Sequence, residues 1–403
     1  MADRWFLFVL VGLIMFTIPG WAATAEVSGE LGYDLHYLTE AQSFGNSQLR
    51  YSLSLDGEVG LATVYRLSFK GGAGYRPVSR TWWELDEAYA DAYLSQVDIR
   101  VGRQVINWGT ADGLNPTSDI NPRDYGSLSA LQLKGKPVPA VMAAYYLPGG
   151  AGITGVCVLD FVPGDLPSEL KLPPASGGPA GNGDQLEFAV RGELPVGGWP
   201  VYVTYFNGWD DLPAAWLTFA DPLAPPPVPR TQYRRVQSAG VATAFDFRGA
   251  SLWFEGAYKV PDHLDELDAP MSLAMSSNDP YMQCVVGADY SFDNGLYASA
   301  QVVYHQGGSL LVPYFDPMVG GEAQTYVVAR GQYSPRDKHD LELVALFNAT
   351  DSGALLLPQY TYELAEATKL TLGAVWVTGS EKSELADLKE AAQGVLAGLT
   401  VSF

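Results

Sequence analysis

Cysteine, histidine, basic residues and long apolar runs are all scarce in this 403-residue chain, and each scarcity excludes something. The two cysteines, Cys157 and Cys284, cannot staple a small secreted fold. They lie far apart in alternating apolar stretches and are read as packed or membrane-facing thiols rather than a disulfide. The four histidines, His36, His263, His305 and His339, form no H-E-x-x-H pattern, and no G-x-S-x-G elbow is present. A lipid hydrolase working from a barrel wall would need Ser and His side by side on the lipid face, whereas His305 falls on the polar face of its segment. No enzyme and no cofactor are therefore expected. Lys and Arg total 24 against 45 Asp and Glu, a net charge of -21, which makes nucleic acid and anionic headgroups poor partners.

Only one long apolar run exists, Trp5 to Ile18. Arg4 precedes it, Pro19-Gly20 breaks it, and Ala23-Thr24-Ala25 supplies small residues for a cut. The run is shorter than the ~20 residues of a spanning helix, so residues 1–25 are predicted to be an export signal and residues 26–403 a single domain. The signal carries one acid, Asp3, and one base, Arg4, so the mature charge is unchanged.

What the chain has in quantity is period-two alternation. In QLRYSLSLDGEVGL, Leu49, Tyr51, Leu53, Leu55, Val59 and Leu61 share one face, and Arg50, Ser52, Ser54, Asp56 and Glu58 the other. Phe188 and Val190 oppose Glu187 and Arg191; Met282, Cys284, Val286 and Tyr290 oppose Gln283 and Asp289; Val302 and Tyr304 oppose Gln301 and His305. Only the signal and Ser383 to Gln393 read as helical.

A soluble sandwich also alternates, but its strands average ~5–6 residues. These segments run about 10–13 residues, long enough to cross a bilayer at a tilt. Aromatics gather near their ends (Tyr33, Tyr37, Trp82, Trp83, Tyr145, Tyr146, Trp199, Trp209), as interfacial girdles do. Short connections such as Phe247 to Gly249 and Asp293 to Gly295 alternate with long ones at 108–136, 163–183, 210–231, 261–279, 308–321 and 379–390. The reading is an all-β, transmembrane antiparallel barrel of about eighteen strands, sixteen being the alternative.

Two resemblances sharpen this. The final stretch AGLTVSF puts Leu399, Val401 and Phe403 on one face of a closing strand. It resembles the insertion signal of bacterial outer-membrane β-barrels, which implies outer-membrane lipids and the outer-membrane assembly machinery as partners. The stretch LDEAYADAYLSQVDIRVGRQVINWGTADGLNPTSDINPRDY, Leu85 to Tyr125, resembles a segment of poorly characterised porin-like outer-membrane proteins with an EAY strand, a GRQ strand and a W-G loop carrying N-P pairs. That likeness speaks to architecture and carries no catalytic residue.

The function expected is passive diffusion of small hydrophilic solutes, with self-association left open. Arg50, Asp56, Glu58, Arg100, Glu187, Arg191, Asp289 and Arg330 are expected to face the lumen. Residues 108–136 form the third outward loop, expected to fold inward as a constriction; its prolines stiffen it and Gly109 and Gly113 permit tight bends. Asp112, Asp119, Arg123 and Asp124 would stand at the narrowest point, opposite wall arginines, and select by charge. The alternative is a plugged surface barrel that binds, exports or attaches polysaccharide. Asp262 to Asp268 hold several oxygen donors but lack the glycine turn of a calcium loop, so a solvated acidic loop is the simpler expectation and no metal is assigned.

Overall fold

A computed structural model of the chain describes residues 23–45, 47–60, 62–76, 80–124, 135–165, 173–180, 183–219, 227–309, 322–380 and 382–403. The apolar run at Trp5 to Ile18 lies outside them, as do residues 125–134 of the expected constriction loop and residues 166–172, 181–182, 220–226 and 310–321 of the other long connections.

Eighteen strands follow one another round a ring. They are β1 (Ala23–Leu38), β2 (Ser47–Val59), β3 (Thr63–Arg76), β4 (Arg80–Tyr93), β5 (Val97–Gln104), β6 (Val138–Tyr146), β7 (Gly152–Val158), β8 (Glu187–Val196) and β9 (Trp199–Trp209). The second half comprises β10 (Arg235–Phe247), β11 (Ala250–Pro261), β12 (Tyr281–Ser291), β13 (Leu296–His305), β14 (Gln324–Arg336), β15 (His339–Asn348), β16 (Ala354–Ala365), β17 (Thr368–Thr378) and β18 (Gly394–Ser402). Each pairs antiparallel with its sequence neighbour, and β1 pairs with both β2 and β18, so the sheet closes on itself. The two-residue piece Ser43–Phe44 only folds back on Tyr37 and Leu38. Closure leaves no strand edge, the condition for spanning hydrocarbon with β structure.

Connections at one end are short. Gly197 and Gly198, both at positive φ, join β8 to β9, and Arg248 with Gly249, likewise both positive, joins β10 to β11. Consecutive left-handed residues are what a two-residue hairpin needs to match the strand twist. The other end carries the long loops. Those following β5, β7, β9, β11, β13 and β17 are called here loop 3 (105–137), loop 4 (159–186), loop 5 (210–234), loop 6 (262–280), loop 7 (306–323) and loop 9 (379–393); loop 8 (349–353), after β15, is short. Strands at 214–218, 228–232 and 272–274 knit loops 5 and 6 into a small sheet. Loop 9 holds a short helix α1 (Ala386–Ala392), within the expected helical stretch.

The two faces of the wall differ as the alternation requires. Leu53, Val101, Phe188, Val203, Val286, Val302, Leu343, Trp376 and Val395 are exposed on the outside. So wide an apolar surface suits lipid rather than water. Cys157 and Cys284 are free thiols on strands β7 and β12, on the outward side by this alternation. Among the expected girdle aromatics, Tyr33, Tyr37, Trp83, Tyr145 and Trp199 are exposed on the outer face, and Tyr146 is exposed on the inner one. The other three turn inward. Trp209 is buried, its Nε1 donating to the Asp184 carbonyl; Trp82 covers Gly72 on the inner side; and the Tyr146 hydroxyl donates to Asp98.

Inside, the wall changes character along the strands. Over much of its height, down to the turns, it is polar, with ion pairs between neighbouring strands: Asp34–Arg50 near the loop end, Lys70–Asp86 at mid-height, and Asp56–Arg66, Asp91–Arg100 and Arg330–Glu342 nearer the turns. Toward the loops, Val285, Val303, Leu346, Leu355, Leu357, Val375 and Val377 point inward and are buried under Leu114 of loop 3 and Leu385 and Leu388 of loop 9. The inner wall thus carries ion pairs over most of its height, and an apolar core fills part of the loop half.

Candidate functional site

Loop 3 owes its course to the EAY and GRQ segments. The pairing of β3 with β4 slips between Leu67 and Phe69, leaving Asp86 and Glu87 in a bulge. A bulge frees backbone groups for other partners. The Glu87 amide donates to Ser68 Oγ at 3.0 Å, and Arg103 Nε donates to the Leu85 and Asp86 carbonyls at 3.1 and 3.0 Å. Gly102 has φ +135°, and a Cβ there would lie 2.1 Å from the Ala88 carbonyl oxygen, so glycine is required where β5 crosses the bulge. The Glu87 carboxylate then accepts the Val105 amide at 3.1 Å and steers the chain off the wall. Asn121 ties the two limbs together: it accepts from the Ile106 amide at 2.7 Å and donates to the Gln104 and Lys136 carbonyls at 3.2 and 2.7 Å.

The far part of the loop docks on the opposite inner wall. Glu255 of β11 is fully buried, and its carboxylate accepts five hydrogen bonds: from the amide and hydroxyl of Thr110, the amide of Ala111 (2.7 Å), and the amide and hydroxyl of Thr117 (3.3 and 2.8 Å). An anion so enclosed replaces its water shell with fixed donors. Gln301 Nε2 donates to the Asp112 carbonyl at 2.7 Å, and Lys259 ion-pairs with Asp119. Loop 3 thus lies across the lumen, bound at both ends.

The four residues expected at a constriction part company. Asp119 and Arg123 line one cavity; Asp119 is paired with Lys259, and Arg123 donates to the Asn115 carbonyl at 3.0 Å. Asp112 is an exposed residue at the loop tip. Asp124 bridges to Asp165 of loop 4. The arginines expected opposite them pair along the wall instead: Arg50 with Asp34, Arg100 with Asp91 and Arg330 with Glu342. Arg191 alone meets loop 3, its guanidinium 5.4 Å from the Trp108 ring centroid and 5.1 Å from that of Tyr202. Asp56, Glu58 and Asp289 alternate onto the inner face, Asp56 lying 3.4 Å from Arg66. Glu187 is buried at the loop end of β8, where it accepts the Trp209 amide at 2.7 Å. In loop 6, His263 lies 3.4 Å from both Asp265 and Asp268, and the described residues contain no group of three or more side chains placed to hold a metal.

The cavity that Asp119 and Arg123 line has a volume of about 180 Å³ and lies between loops 3, 5, 6 and 7 and the inner ends of β9 to β13. It brings in residues the alternation alone did not single out, among them Lys259, Asp210, Asp211 and Arg234. Burial pushes the carboxyls of Asp210 and Asp211 above the usual range, Asp211 furthest because Asp210 repels its charge as well. Arg234 is buried and donates to the Ser277 carbonyl and Asn278 Oδ1. Three acids, Asp119, Asp210 and Asp211, and three bases, Arg123, Arg234 and Lys259, line the cavity. A second cavity of about 310 Å³, lined by Arg100, Trp108, Arg191 and Glu193, extends from the base of loop 3 toward the turn end.

Residues 21–178 match the model of a family described as "Protein of unknown function (DUF1302)", a stretch that contains both the bulge and loop 3. No curated protein matches the chain. Among solved structures it is similar to Acinetobacter baumannii OccAB1 (8% identity, TM-score 0.54, covering 94% of this chain and 96% of that one). It is also similar to Pseudomonas aeruginosa OccK5 (10%, 0.55, 94% and 97%) and to P. aeruginosa OccK2 in complex with glucuronate (8%, 0.53, 94% and 97%). At such identities the likeness speaks for architecture: the chain is a closed, eighteen-strand antiparallel barrel with the fold of these proteins.

Proposed function

We propose that this protein is a passive channel of the bacterial outer membrane for small hydrophilic solutes, exported by a signal at residues 1–25 and inserted by the outer-membrane assembly machinery through its Leu399, Val401 and Phe403 strand. The observation that carries the reading is loop 3, anchored on Glu255 and Lys259 across the lumen of a wall that carries ion pairs toward the turns. A loop so placed narrows a pore without sealing it. The role is not catalytic.

A cavity lined by both acids and bases suits polyhydroxyl or zwitterionic solutes better than strongly charged ones, since groups of both signs face it. OccK2, a structural neighbour, was solved with glucuronate, a solute that also combines hydroxyls with charge. A second reading, a plugged barrel that handles polysaccharide at its surface, draws on the apolar core that loops 3 and 9 build inside the loop half.

Planar-bilayer recordings test the choice. The wild type is expected to give discrete single-channel steps. Changing Asp112, Asp119 and Asp124 together to Asn should move the reversal potential in a salt gradient toward anions, chiefly because Lys259 loses Asp119. Silence from both the wild type and a variant with loop 3 released would remove the channel reading in favour of the plug.

A further inference from the structure

Loop 9 enters the lumen with one acidic side chain in an unusual setting. Glu384 is 2% exposed, and among the described residues its carboxyl is met by neutral groups: Ser309 Oγ of loop 7, Tyr326 OH of β14 at 3.0 Å and Asn348 Nδ2 of β15 at 3.1 Å. Its own amide donates to Asp351 Oδ2 of loop 8 at 2.8 Å, so the nearest charged group is a second carboxylate. Among the described residues no lysine or arginine forms an ion pair with it. Lys389 of the same loop reaches Glu40 instead, at 3.5 Å, and His36 of β1 bonds the Ala392 carbonyl at the far end of α1. Directly after Glu384 come Leu385 and Leu388, which cover Leu355, Leu357, Val375 and Val377 of the inner wall.

The combination is a plug seated by packing and by one enclosed acid. A buried carboxylate without a cation is costly, and a protonated one is not. We propose that loop 9 is a proton-controlled plug: with Glu384 protonated, the loop stays docked against the inner wall of β14 to β17, and loss of that proton releases it and widens the channel. The proposal rests on the channel reading for its consequence but not for the motion itself.

Burial is the main cause that raises the Glu384 carboxyl to about 7, with the Asp351 charge adding to it. The docked form therefore holds the proton more tightly than a free carboxyl of ordinary value 4.5. Docking is at full strength below about pH 4.5, weakens as pH rises through 7 and changes no further above that, by up to about two orders of magnitude in the docking equilibrium. His36 is the other titratable group at the end of α1, bonded to the Ala392 carbonyl, and Glu384→Gln separates its contribution from that of Glu384.

The motion can be read without relying on conduction. In a Cys157→Ser, Cys284→Ser background, Leu388→Cys is labelled with a membrane-impermeant maleimide, its rate divided by that of exposed Lys382→Cys to cancel the pH dependence of the reagent. The ratio should rise about tenfold or more between pH 4.5 and 7.5, and adding Glu384→Gln should hold it at the low value throughout. A ratio that is flat in the parent, or that rises equally with Glu384→Gln, overturns the latch. Bilayer conductance of the wild type should increase over the same range. Conductance that is present but indifferent to pH overturns the widening and leaves the channel standing; a full labelling response in a barrel that never conducts overturns the channel and leaves the plug standing.

Discussion

At the scale of single residues, the sequence pattern speaks clearly about facing and poorly about partners. Leu53 and Ser54 are adjacent in β2, yet Leu53 is 44% exposed on the outer wall while Ser54 pairs in register with Ser28 and Ser68 on the inner one. Leu53→Arg is expected to destabilise the inserted barrel by about 2–4 kcal/mol if the site lies near the bilayer midplane, and Ser54→Arg by far less. Equilibrium unfolding from lipid vesicles measures both, and equal costs would contradict the assigned faces. Glu255 shows the other side. Alternation with Trp253 and Lys259 points it inward, but its five donors lie about 140 residues away, and nothing local announces them. Removing the carboxylate leaves those donors buried without an acceptor, at about 1–3 kcal/mol each. Glu255→Ala should free loop 3, raising single-channel conductance and gating noise while the wall ladder stays intact. An unchanged conductance would mean that the loop is not the constriction.

At the scale of elements, strands and turns were legible because each is fixed by a short-range rule. The inner and outer residues of a strand differ in polarity, and a hairpin wants two left-handed residues, as at Gly197-Gly198. The helix in loop 9 was visible as a stretch for the same local reason. What the elements do to one another was not. The EAY and GRQ strands read as plain strands, whereas their work is to create a bulge, fill its carbonyls with Arg103 and launch loop 3 from Glu87. Trp82, Tyr146 and Trp209 mislead for a related reason: an aromatic near a strand end suits a lipid interface and a lumen-facing position equally, and only the strand alternation and, for Trp209, the bond to Asp184 of loop 4 decide. The expected ring of acids in loop 3 likewise assumes that residues close in sequence stay close in space. Instead the loop turns back on itself at Gly113, φ +86°, and sends Asp112 and Asp119 to different surroundings. Gly102→Val should separate these effects. It forces a Cβ onto the Ala88 carbonyl and should lower the yield of folded barrel, with loop 3 the first region to become protease-sensitive; wild-type yield and resistance would show that the bulge does not govern the loop.

For the whole molecule, the decisive contact is the seam between the first and last strands. β1 and β18 share nine registered pairs from Glu30–Ser402 to Leu38–Gly394, and Phe403 extends the ladder by exchanging backbone hydrogen bonds with Gly29 at 2.8 and 3.0 Å. Its ring, 68% exposed to the surroundings of the barrel, lies over Gly29, where a Cβ would come within 2.5 Å of it. A closed ring pairs every backbone group, and an open one leaves two strand edges in hydrocarbon, where each unpaired group costs several kcal/mol. The native barrel is therefore expected to resist detergent at room temperature and to change its migration on a gel only after boiling. Deleting Phe403 or replacing it with Asp removes the last backbone pair or puts a charge on the lipid side of the seam. Export should be unaffected while the amount inserted in the outer membrane falls sharply. Gly29→Val, which crowds the same ring from the opposite strand, should reproduce the loss in part, because the ring can swing outward but the two backbone bonds then lose their cover. Fractionation with unboiled gels follows all three variants, and normal levels of heat-modifiable Phe403 deletion in the membrane would show that the seam closes without its terminal aromatic.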